Sequence, residues 1–165
     1  MKTVQCLMAF AVVALAAFSS GADARDVKVM SGAACQPRSA DDRQDILVLV
    51  DGVTNINATD PAFVVCPILR DNTSANPNGQ LEVSLRLLRS SNGEAVSCLL
   101  DSRDRLGERL ARSEGSAGNG LTLTVPQNPS SQGYYVVQCE LPQGNPGGTV
   151  IAYRYVEESP TDTDN

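Results

Sequence analysis

Five cysteines and no histidine bound the chemistry open to this chain of 165 residues. Without an imidazole there is no Ser–His–Asp or Cys–His nucleophile, and the commonest protein ligand for zinc and copper is missing. Cysteine itself could still act. Cys66 raises that question most directly, because it sits inside the apolar stretch AFVVCP, Ala62 to Pro67. Cys6 belongs to an N-terminal apolar run that reads as a leader. Cys35, Cys66, Cys98 and Cys139 then form an even set in a chain that reads as exported. Such sets pair as disulfides in oxidising compartments, and paired sulfur is neither nucleophile nor metal ligand.

Carboxylates are the remaining candidates for chemistry. A glycosidase needs two of them, roughly 5 to 9 Å apart, in a cleft where aromatic side chains support the sugar. The chain has no tryptophan, and its four tyrosines fall in two C-terminal stretches, YYVVQCEL and TVIAYRYV. The segment DGVTNINATD gathers the oxygen-bearing Asp51, Thr54, Asn55, Asn57, Thr59 and Asp60. Calcium wants six to eight such oxygens, but the spacing fits no EF-hand loop. A turn whose Asn and Asp side chains bond their own backbone accounts for the cluster better. The triplets NAT and NTS, at Asn57 and Asn72, match the glycosylation acceptor and matter only in a eukaryotic secretory pathway. The glycine-containing GSAGNG has no lysine and no following helix, so it is no phosphate cradle. The reading is of a protein that is not an enzyme and has no metal site and no cofactor.

The start of the chain explains why export is expected. Lys2 precedes the apolar run Cys6 to Phe18, and ADA at Ala22 to Ala24 offers small residues for cleavage. Residues 1–24 read as a signal peptide, too short in its apolar part to span a bilayer. No later segment is apolar enough to span, so no membrane span is expected in the mature chain. Residues 25–158 form one domain of ordinary size, and 159–165 an acidic tail. The formal net charge of −6 and the absence of any basic run leave no electrostatic footprint for nucleic acid.

The elements that must carry these residues are strands. LEVSLRLLR and LTLTV alternate apolar and polar positions, the period of a half-buried strand. ILVLV (Ile46 to Val50) and FVVC (Phe63 to Cys66) are apolar on both faces, as central strands are. Dense Gly, Pro, Asn and Ser between them predict an all-β fold, an antiparallel β-sandwich of the immunoglobulin-like or jelly-roll-like kind, with about seven to eight strands. Asn92-Gly93 suits a type I′ hairpin pairing Leu87 with Cys98 and Leu85 with Leu100. PQGNPGG suggests a second hairpin, pairing Cys139 with Ile151, Val137 with Tyr153 and Tyr135 with Tyr155. Both registers turn Cys98 and Cys139 toward a core and send Gln138, Glu140 and Arg154 away from it. Sequence alone permits three pairings. These faces favour Cys98–Cys139 as a bridge between two packed sheets, leaving Cys35–Cys66 to pin the N-terminal segment. Tyr135, Tyr153 and Tyr155 become core residues, and Tyr134 points outward. Pro67 ends, bulges or edges its strand. SRDRLGERLAR (Ser102 to Arg112) can form an amphipathic helix, but Gly107 suits a turn between two strands better.

The cysteine contexts CQP at Cys35, VVCPILRDN at Val64, VSCLLDSRD at Val96 and YYVVQCELP at Tyr134, followed by YRYVEE, resemble a group of small exported bacterial proteins with one β-rich domain. The resemblance implies fold and export, and supplies no catalytic residue. The expected function is a secreted or periplasmic, non-catalytic binding or structural module, with an unknown protein or glycan of the cell envelope or outside as partner. Its contact surfaces are expected in the end loops, around Asp51, Asn55, Asn57, Asp60, Asn72 and Asn145, or at an exposed edge strand. An inhibitor of an extracellular enzyme, a carboxylate-pair glycoside hydrolase and a carbohydrate-binding module are the alternatives.

Overall fold

The computed structural model describes residues 27–70 and 79–157. Residues 1–24, expected as a signal peptide, Asn72, and residues 159–165, expected as an acidic tail, lie outside the described residues. What is described is all-β, built as two antiparallel sheets face to face. The strands are β1 (Val27–Ser31), β2 (Gln36–Pro37), β3 (Ile46–Leu49), β4 (Gly52–Asn55), β5 (Ala62–Pro67), β6 (Gln80–Leu88), β7 (Val96–Arg103), β8 (Arg109–Ala117), β9 (Gly120–Pro126), β10 (Tyr134–Leu141) and β11 (Thr149–Glu157). One sheet runs β3-β4-β11-β6-β9, with β1 also paired to β11; the other runs β2-β5-β10-β7-β8. Eleven strands among the described residues replace the seven or eight expected, because short strands such as β2 and β4 carry too few residues to show a period.

Alternation predicts the buried faces correctly. Leu81, Val83, Leu85 and Leu87 of β6 enter the core, opposite Val64, Cys66, Val96, Cys98, Leu100, Val137 and Cys139 of the other sheet. Tyr135, Tyr153 and Tyr155 are buried, and Tyr134 is exposed. Burial pushes the Tyr153 hydroxyl up to about 12, with the neighbouring Tyr155 adding to it. It therefore stays protonated, and donates to the Pro67 carbonyl at 2.8 Å. On β8 the inward positions Ala111, Ser113, Gly115 and Ala117 are small. A Cβ on Gly115 would stand 2.9 Å from Leu121 Cδ1, so the missing side chain lets that end of the sandwich close.

Both expected hairpins are corrected. Asn92-Gly93 does form a tight turn, with Gly93 at φ +83. Yet β6 and β7 belong to different sheets, as do β10 and β11. The residues proposed as lateral partners, except Ile151, instead enter one core from opposite sheets. Alternation cannot separate these arrangements, since either one buries the same side chains. The disulfides form as paired, Cys35–Cys66 and Cys98–Cys139. Their role differs from the expected brace between layers. Cys98 lies directly opposite Cys139 on adjacent strands, and Cys35 precedes β2 where that strand meets Cys66 on β5. Both bridges are stitches within one sheet.

ILVLV is the other correction. β3 is an edge strand, and Leu47, Val48 and Leu49 are 42 to 51 % exposed. The fully buried neighbour is β4. A close approach holds β4 there: Ile151 is the extra residue of a bulge in β11, and a Cβ on Gly52 would lie 2.7 Å from the Val150 carbonyl oxygen. The segment Ser102 to Arg112 is strand, turn and strand, as Gly107 suggests. Gly107 takes φ +85, and the Asp104 carboxylate accepts from the Leu106 and Glu108 amides.

Candidate binding face

Strand alternation that fills the core also fixes what the five-stranded sheet presents outward. Phe63 and Val65 of β5, Val136, Gln138 and Glu140 of β10, Ser97 and Leu99 of β7, and Glu114 and Ser116 of β8 share that face. The register aligns them in rows: Phe63–Glu140–Ser97–Ser116, then Val65–Gln138–Leu99–Glu114. Between these rows lies a cavity of about 480 Å³, lined by Phe63, Ser97, Leu99, Glu114, Ser116, Gln138 and Glu140 with backbone beneath. Its apolar floor is half-buried Phe63 and Leu99. Its walls carry two carboxylates, an amide and the hydroxyls of Ser97 and Ser116, which bond each other at 2.7 Å.

Two arginine clusters close the ends. The Arg38 guanidinium lies 3.8 Å from the Phe63 ring centroid and 3.7 Å from Asp42. Asp42 in turn accepts from the Phe63 amide at 2.8 Å and from the Ser39 hydroxyl. At the other end, in the next row along β7, Asp101 is buried beneath Arg112 and Arg103. Arg112 donates to both of its oxygens, at 2.7 and 3.1 Å, and Arg103 to one at 2.7 Å. The Arg112 hydrogen bond, reinforced by Arg103, holds the Asp101 carboxyl below the usual range against the upward push of burial. Paired in this way, the arginines add little net positive charge to the face.

The loop residues nominated from sequence have other work. Asn55 is fully buried, and its Nδ2 donates to the carbonyls of Asp60, Leu141 and Pro142 at 2.9, 3.0 and 3.3 Å. Its Oδ1 accepts from the Asn57 amide. Asn57 Oδ1 accepts from the Thr59 amide, the Thr59 hydroxyl and the Asp60 amide. These are turn-making bonds, and they engage the side-chain oxygens of Asn55 and Asn57. Among the described residues there is no group of three or more His, Cys, Asp or Glu that could hold a metal. Asp51 is exposed at the β3–β4 turn. Asn145 is exposed and donates its amide to Ser91 Oγ. The structure therefore brings Asn55, Asn57 and Asp60 together against the 142–148 loop, with Asp51 and Asn145 exposed outside that hydrogen-bond cluster.

No protein-family model matches the chain, and no curated protein does. Several solved structures are similar in outline. A xylan-binding module, CBM15, shares 18 % identity over 80 % of this chain and 96 % of its own, with a TM-score of 0.45. The module TmCBM61, solved with β-1,4-galactotriose, shares 9 % over 81 % and 89 %, with a TM-score of 0.44. The active domain of tailspike protein 4 from bacteriophage CBA120 shares 12 % over 80 % of this chain, with a TM-score of 0.47. The chain spans only 18 % of that tailspike. Likeness at this level carries no information about a ligand. The resemblance to small exported proteins is met in the β-rich fold and the two disulfides.

Proposed function

We propose that the protein is an exported, non-catalytic binding module, and that the outer face of its five-stranded sheet takes a neutral glycan. The cavity between Phe63 and Glu114 carries this reading. It joins an apolar floor, suited to the hydrophobic face of a sugar ring, to acceptors suited to ring hydroxyls. Glu114, Glu140 and Gln138 supply those acceptors, and hydrogen bonds to ionised carboxylates are the strong ones. Two carboxylates and no cation in the lining repel uronates and sulfated sugars. The non-catalytic reading rests on the lack of any histidine in the chain and on the pairing of Cys35, Cys66, Cys98 and Cys139 as disulfides, which leaves no imidazole and none of these four thiols for nucleophilic chemistry. Two disulfides suit an oxidising compartment outside the cytosol.

Replacing Glu140 and Gln138 together by alanine tests the site. Affinity for neutral oligosaccharides is expected to fall at least tenfold, at about 1.5–3 kcal/mol for a hydrogen bond to a charged group. The melting temperature should hardly move, since both side chains are outside the core. Unchanged binding in this variant would remove the face from consideration. A second reading is favoured by β3, whose apolar side chains and edge, unpaired among the described residues, could accept a partner's strand. Asp45 and Asp51 flank that strand, which suits an extended apolar peptide with basic ends.

A further inference from the structure

Resting on the glycan reading of the sheet face, we infer that the site extends along β10 from the cavity to Tyr134, and that its ligand is a linear chain rather than a single sugar. The side chains of Glu140, Gln138, Val136 and Tyr134 follow one another on the outer face of one strand. Six residue steps separate the first from the last, about 20 Å, the reach of about four pyranose rings. The cavity occupies only the Glu140 and Gln138 rows. Beyond it, the Val136 row carries Asp101 and Arg112, and the Tyr134 row carries Arg103.

Each of these rows can meet a sugar. Arg112 commits Nε and Nη2 to Asp101, and its third guanidinium nitrogen is not used in that pair. Its side chain is about a third exposed, although the carboxylate beneath is buried. The ion pair thus fixes a planar donor in line with the cavity, in a cluster of two guanidiniums and one carboxylate. Tyr134 is the outlier among the tyrosines. Tyr135, Tyr153 and Tyr155 are buried, and each hydroxyl bonds backbone, to the Asn128 amide, the Pro67 carbonyl and the Leu69 amide. Tyr134 is 41 % exposed on the ligand face. A Cβ on Gly107 would lie 3.5 Å from its hydroxyl, so the side chain reaches toward the β7–β8 turn. An amphipathic ring held at the end of a polar track is a platform for the apolar face of a terminal sugar.

The test is isothermal titration of the full protein with neutral linear oligosaccharides of two to six units, drawn from xylan, galactan, glucan and mannan. The six-unit member of the best series is expected to bind at least tenfold more tightly than the two-unit member. Tyr134→Ala should remove that gain, leave two-unit binding unchanged, and be rescued by Tyr134→Phe. Affinity independent of length, or a hexamer indifferent to Tyr134→Ala, overturns the extension. If such binding still falls in the Glu140→Ala/Gln138→Ala variant, the cavity reading stands alone. Failure of every series at every length overturns both.

Discussion

Replacing Cys98 and Cys139 by alanine is expected to lower the melting temperature by roughly 15 °C, on about 4 kcal/mol of lost stability. The bridge spans 41 residues, and an unfolded chain closed over that length gives up a large share of its freedom. Position adds to the effect. The two residues face each other on β7 and β10, the central pair of the five-stranded sheet, and both are buried in the core. Alanines there leave space in addition to a longer unfolded chain. Cys98 backbone also underlies the cavity, so glycan affinity should weaken with the loss of the bridge. Cys35–Cys66 spans 31 residues and holds only the short edge strand β2, so its removal should cost somewhat less. Thermal unfolding followed by circular dichroism decides the matter; a shift under a few degrees for Cys98→Ala/Cys139→Ala would contradict a structural role.

Asn55→Ala should destabilise by about 3 kcal/mol, a loss of roughly 10 °C, without involving any ligand. One buried amide satisfies three carbonyls, those of Asp60, of Leu141 at the end of β10 and of Pro142 just after it. Alanine removes the Asn55 donor from the buried Leu141 carbonyl and one of the two donors to Pro142, which keeps the Gly148 amide, and the penalty of an unmade buried bond exceeds the net value of a made one. Asn55→Asp should be equally harmful, since a carboxylate cannot donate to carbonyls. Exposed Asp51→Ala, in the same sequence cluster, should change stability by less than about 0.5 kcal/mol. Denaturant titration of the three variants checks the contrast; equal effects would mean that Asn55 does not tie the loops together.

The contrast shows what could be read from sequence. Asn, Asp and Thr in DGVTNINATD signal a turn correctly, but composition cannot tell an oxygen that awaits a ligand from one bonded to its own backbone. Burial faces were legible because period two is a local property of each strand. Which strands lie side by side was not, since the turns after β6 and β10 can either fold a hairpin or cross between sheets. The pairing of cysteines survived this error because each pair shares an inward face and a sheet. The binding face left a trace as well. FVVC and YYVVQCEL are apolar at positions that also alternate with the core, and Phe63, Val65 and Val136 prove to be outward residues. ILVLV left the same trace and lies at an edge, so apolarity on both faces marks either a covered surface or one that waits for a partner.

The most direct test is a titration of isotope-labelled protein with a neutral oligosaccharide, followed residue by residue by amide chemical shifts. Perturbations are expected at Ser97, Leu99, Glu114, Ser116, Gln138 and Glu140, and with longer chains at Tyr134. Saturable shifts confined to residues 51–60 and 142–148, or to the β3 edge from Leu47 to Val50, would contradict binding on the sheet face.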